Sequence, residues 1–119
     1  KTQAGVIIDT ADLMIHRGAA MLLLEAMPNE VSQRIVELAN QPKGRDASIV
    51  PVIGCGAGNA CHGHVVVLQD LLGMTEWQPP FAKPLADLGS AVQDAARKWV
   101  ELVTGGKYLL DDHPYHQSS

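Results

Sequence analysis

Two short stretches hold most of the residues in this chain that could do chemistry. The first, Val52–Met74, reads V-I-G-C-G-A-G-N-A-C-H-G-H-V-V-V-L-Q-D-L-L-G-M, with Gly54, Gly56 and Gly58 at alternate positions. Alternating glycines let backbone approach a ligand closely and accept positive φ. The same spacing also serves plain strand-to-loop packing. It is not a dinucleotide fingerprint, which needs G-x-G-x-x-G where position 59 is Asn, and no G-K-[ST] follows to make a phosphate loop. The second stretch is Met21–Pro28, where Glu25 closes an apolar run. A carboxylate at the carboxyl end of a strand stands where parallel barrels keep their chemistry. Partial burial there tunes such a group for general-base work. The plain alternative is a strand-end acid, solvated or paired with an arginine.

Cys55, Cys61, His62 and His64 follow a C-x5-C-H-x-H spacing that fits no usual zinc pattern. It also fails C-x-x-C-H, because position 58 is Gly. No metal is assigned to these residues, and Cys55 reads as a small core hydrophobe. His16 reads as a surface residue near a helix end. Asp111, Asp112, His113, Tyr115 and His116 form a polar, aromatic tail that would close over a site or cover a subunit.

The elements that must position these residues follow from periodicity. A helix is predicted over Asp9–Arg17, stopped by Gly18. Ala19–Leu24 is continuously apolar, as for a parallel strand covered on both faces. Asn29 is expected to cap a second helix, with Val31, Ile35, Leu38 and Ala39 on one face. Gln41–Ser48 reads as a polar loop. Ile49–Ile53 and Val65–Leu68 read as further strands, and the prolines of Gln78–Pro84 exclude a regular element there. Leu88–Thr104 is a long helix whose buried stripe would include Leu88, Val92, Trp99 and Val103, ended by Gly105-Gly106. Helices alternating with strands argue for an α/β fold with parallel strands. One segment is expected over 1–119, with strands near 19–25, 49–54 and 64–69 and a last helix near 88–104. Three parallel strands do not close a barrel, which takes about 250 residues.

Bulk properties narrow the partners. The 119 residues suit one domain, and 46% of them are hydrophobic. Only 18% are charged, a low share that fits buried partner surface or a piece of something larger. A net charge of −4 with no Lys/Arg cluster argues against nucleic acid. Two cysteines within one short stretch are no secreted disulfide framework and fit a reducing compartment. No run approaches the roughly 20 apolar residues of a membrane span, and no signal peptide is visible. A cytoplasmic setting is therefore expected. Lys1–Gly5 has no initiator Met and no clear element, so the chain reads as beginning within a longer parent.

Several segments together resemble one family. L-L-L-E-A-M-P (Leu22–Pro28), P-V-I-G-C-G-A-G-N (Pro51–Asn59) and V-V-V-L-Q-D-L-L-G-M (Val65–Met74) resemble ketopantoate hydroxymethyltransferase, also called 3-methyl-2-oxobutanoate hydroxymethyltransferase. Pro80-Phe81-Ala82-Lys83 is similar to its P-K-F-x-K segment. Lys1-Thr2-Gln3 is similar to the K-x-Q before its sixth strand unit, and the last helix and the tail with Asp112-His113 resemble its end. The resemblance runs over nearly the whole chain.

That resemblance implies the C-terminal three-strand portion of a (β/α)8 TIM barrel. The implied reaction transfers a one-carbon unit from methylene-tetrahydrofolate to α-ketoisovalerate, giving ketopantoate on the way to pantothenate. The implied metal is Mg2+, which holds the keto acid and stabilises its enolate as a Lewis acid. Its ligands, a catalytic lysine and substrate-binding residues are expected on earlier strands and are not placed in this chain. Glu25 matches the family's acid/base glutamate by its L-E-x-x-P context. Gly56, Gly58 and Asn59 are expected to line the pocket mouth and bind substrate. His62, Gln69 and Cys55 depart from the family's usual acid, histidine and aliphatic residue, and the Gln41–Ser48 connection looks longer than usual. The expected partners are the keto acid, the folate and either a complementary barrel half or further copies in a homo-oligomer. The rival expectation is a non-catalytic truncated half-barrel acting as a structural or interaction protein. A weaker rival is a small α/β ligand-binding module using the glycine loop.

Overall fold

The computed structural model describes residues 2–42 and 48–108. The chain divides into two compact units, Lys1–Val67 and Leu68–Ser119. The second unit closes on itself through its own backbone. Leu85 N–H donates to Leu71 O at 2.8 Å, Leu88 N–H to Leu72 O at 2.9 Å and Gly89 N–H to Gly73 O at 3.2 Å.

The first unit runs α1 (Gln3–His16), β1 (Leu22–Glu25), α2 (Asn29–Ala39), β2 (Val52–Cys55) and β3 (Gly63–His64). The sheet order is β1-β2-β3 and both pairings are parallel. Leu22 stands opposite Val52, Glu25 opposite Cys55, and Ile53 opposite Gly63. Both helices cover one face of the sheet. Ala11 and Ile15 of α1 and Ile35, Val36 and Ala39 of α2 form a core with Leu22, Leu24 and Val52. Apolar burial of this kind is the main force holding such a layer together.

Helix α1 begins six residues earlier than predicted. The Thr2 side chain caps it, accepting from Gly5 N–H at 3.2 Å. Past its end Gly18 takes φ +90°, and Ala19 N–H returns to Met14 O at 3.0 Å. That bond commits Ala19 to the helix terminus, so β1 starts at Leu22 rather than Ala19. The expectation of a strand covered on both faces is corrected. Leu22 and Leu24 are buried, whereas Leu23 is 60% exposed, because only one face meets helices. Strand β2 starts at Val52 rather than Ile49, since Val50 N–H bonds Ala39 O at 3.1 Å at the end of α2. Pro51 also lacks a ladder donor.

The third strand is Gly63–His64, not Val65–Leu68. The φ of +66° at Gly56 turns the chain away after Cys55, so β2 has no further residues to pair. Val65 N–H to Gly54 O, at 2.9 Å, is the last bond of that edge. The following residues include a single helical turn, α3 (Leu68–Leu71).

In the second unit α4 spans Leu88–Thr104. The Asp87 carboxylate accepts from Ser90 N–H at 3.2 Å to cap it. The buried stripe predicted for it is not found: no residue of α4 is buried, and Val92 and Trp99 are about half exposed. Trp99 and Tyr108 meet edge to face with ring centroids 6.1 Å apart. The tail residues 109–119, with Asp111, Asp112, His113, Tyr115 and His116, and the loop residues 43–47 lie outside the described residues.

Candidate functional site

The carboxyl ends of β1 and β2 stand side by side in register, which brings Glu25 next to Cys55 on the sheet face away from the helices. Side chains alternate along a strand, so the burial of Leu22 and Leu24 sends Leu23 and Glu25 to the opposite face. Glu25 is exposed there, and the partial burial expected for it is not found. Immediately after it, Ala26 takes φ +48°, an uncommon state for a residue with a Cβ. Its N–H donates to Cys55 O at 2.8 Å, and Met27 N–H donates to Gly56 O at 3.1 Å. The chain after Glu25 is therefore tied directly to the glycine loop.

The loop 56–62 returns from β2 to β3 and uses left-handed turns at Gly56, φ +66°, and Gly58, φ +73°. Ala57 and Cys61 fold beneath the sheet and are buried. The close approach explains Gly54, where a Cβ would stand 2.9 Å from Cys61 Sγ. At Gly58 a Cβ would run into the Asn29 side chain. Asn29 does not cap α2, contrary to expectation. Pro28 holds the cap position with no side-chain hydrogen bond, and Asn29 Oδ1 instead accepts Asn59 N–H at 3.2 Å. Thus Glu25, Gly56, Gly58 and Asn59 come together at one end of the sheet. Sequence reasoning missed Asn29 as the residue joining them, because an Asn before an amphipathic run reads first as a cap.

His62 has a structural place that its spacing did not disclose. Its backbone N–H donates to Val52 O at 2.9 Å, and its ring Nδ1 accepts Val52 N–H at 3.0 Å. That acceptor role leaves the ring proton on Nε2, which donates to Asn40 Oδ1 at 2.9 Å. One imidazole thus joins the start of β2 to the end of α2. Both cysteines are free thiols, and burial pushes the Cys61 thiol above its usual value.

Among the described residues no group of three or more His, Cys, Asp or Glu side chains could hold a metal ion. No helix among them is long and apolar enough to cross a membrane.

A parallel α/β sheet with a carboxylate and a glycine loop at the carboxyl ends of adjacent strands defines an α/β protein of the kind that keeps its chemistry at those ends. The family model for ketopantoate hydroxymethyltransferase matches residues 1–109, and the chain belongs to that family. A 3-methyl-2-oxobutanoate hydroxymethyltransferase from Trichlorobacter lovleyi is 35% identical over 116 residues, covering 97% of this chain and 40% of the relative. Proteins of the same name from Caldicellulosiruptor bescii and Haloarcula marismortui are 32% and 30% identical, again over 97% of this chain. The chain spans about 40% of the length of these relatives.

Proposed function

We propose that this chain is the C-terminal portion of a (β/α)8 barrel that transfers a one-carbon unit from methylene-tetrahydrofolate to α-ketoisovalerate, acting in the cytoplasm. The observation that carries this reading is the position of Glu25. In a chain of this family it ends a parallel strand, exposed, beside a loop of left-handed glycines. In this reading Glu25 is the acid/base that moves the proton at C3 of the keto acid. In the same reading Gly56, Gly58 and Asn59 line the mouth of the pocket and bind substrate. Loss of the C3 proton gives an enolate, whose carbon bonds to the folate's methylene; both carbon–nitrogen bonds to the folate break, water supplies the product hydroxyl, and tetrahydrofolate leaves with two protons, equivalent to those given up by C3 and by that water, on its nitrogens.

The test is exchange of the C3 proton of α-ketoisovalerate with deuterated water, in the assembly that contains this chain. Glu25→Gln should slow exchange at least 100-fold, the usual scale for removing a general base. Unchanged exchange would remove Glu25 from that role.

A second reading is favoured by a separate feature. Strand β1 is an edge strand, and an apolar groove of about 330 Å³ runs beside it, lined in part by Val6, Thr10, Met14, Met21 and Leu23. An uncovered edge of this kind pairs readily with another chain. A half-barrel that associates through it, without catalysis, is the rival to the enzyme reading.

A further inference from the structure

We infer that Asn29 is a positioning residue that holds the loop Gly56–Asn59 against the strand end carrying Glu25; the inference rests on the reading of that end as the substrate site. Three observations carry it. The first residue of α2 makes no capping bond, although Asn is among the residues best suited to make one. Its Oδ1 spends its acceptor capacity on Asn59 N–H, 30 positions further along the chain. Its Cβ and Cγ also fill the space that a side chain at position 58 would need.

The geometry makes this a short linkage. Glu25, Ala26, Met27, Pro28 and Asn29 are consecutive, and residues 26, 27 and 29 each contact the loop. The Ala26 and Met27 bonds tie the loop's first turn, at Cys55 and Gly56. Asn29 alone among these ties its second turn, at Gly58 and Asn59. Without the Asn29 side chain the first turn stays fixed while the second gains a free backbone donor and open space. The distance from Glu25 to Gly58 and Asn59 is then no longer set. Small losses of alignment between a catalytic group and its substrate cost large factors in rate.

The chemistry also says which substitution preserves the role. Asn29→Asp keeps an acceptor oxygen of the same reach and places a carboxylate in the first turn of a helix, where negative charge is favoured. Asn29→Ala removes both acceptor and bulk.

The experiment compares the parent chain with both variants by two readouts. The first is residue-resolved amide hydrogen exchange in the chain itself. The second is C3-proton exchange of α-ketoisovalerate in the assembly that contains it, separated into kcat and KM. Asn29→Ala should lose protection at Asn59 at least tenfold, with Ala26 and Met27 unchanged. Its kcat should fall at least tenfold with little change in KM, and Asn29→Asp should restore both protection and kcat. Unchanged protection at Asn59 in Asn29→Ala overturns the inference, and so does a uniform loss of protection across the sheet, which marks a merely stabilising role. Lost protection with unchanged kcat also overturns it. If the parent assembly shows no C3 exchange, the proposed function fails. The local anchoring of the second turn by Asn29 is then upheld or overturned by the amide readout alone.

Discussion

Cys61 shows how much one side chain in this loop is asked to do. It lies buried beneath Gly54, and its thiol contacts Ala57 O at 3.9 Å. Burial penalises the thiolate and pushes the thiol up. The folded chain therefore keeps a proton that the unfolded chain gives up once the pH passes the ordinary thiol value. Stability is full below that value and declines as the pH rises through about 9 and beyond. Urea denaturation across that range should show the decline in the parent and a shallower one in Cys61→Ala. Iodoacetamide should modify the half-buried Cys55 before Cys61 at pH 8. Equal rates at the two thiols would contradict the buried position of Cys61.

At the scale of elements, the decisive contacts join ends rather than middles. His62 binds both backbone groups of Val52 and reaches Asn40 at the close of α2. His62→Ala leaves Val52 N–H without its partner, a loss of about 1–3 kcal/mol. Asn40→Ala removes only the exposed outer bond and should cost about 0.5–1.5 kcal/mol. Equal midpoint shifts for the two variants in urea would deny the inner bond its importance. These contacts also mark what was legible in the sequence. The α/β class and the parallel sheet could be read from alternating apolar runs. The same runs misplaced strand limits, because an apolar residue does not disclose where its backbone bonds. Ala19 closes α1, Val50 closes α2, and Val65 ends a ladder that Gly56 has already interrupted. That Glu25 and the glycines meet at the strand ends was legible from their type and position, while Asn29 and His62 act across 30 and 10 residues and leave no local pattern.

At the scale of the molecule, the edge of β1 and the sheet face bearing Leu23 are open among the described residues. Leu23 is 60% exposed and Met21 58%, beside the apolar groove at α1. Such a surface favours association with another strand-bearing chain. Sedimentation velocity over a concentration series should show the chain associating, and Leu23→Lys should shift it towards monomer. A parent that stays monomeric throughout would count against the interaction reading.

The short return from β2 to β3 also bears on the order in which the sheet assembles. Ile53 pairs with Gly63 ten positions on, whereas Leu22 pairs with Val52 thirty positions on. Closing a chain loop three times as long costs about 1 kcal/mol more in entropy. The pair β2–β3 is thus the easier contact to nucleate, and β1 joins afterwards, bringing the Ala26, Met27 and Asn29 contacts that tie the loop. The end of the sheet that holds the carboxylate is then the last part to be completed, and it receives Glu25 and Asn29 in a single step.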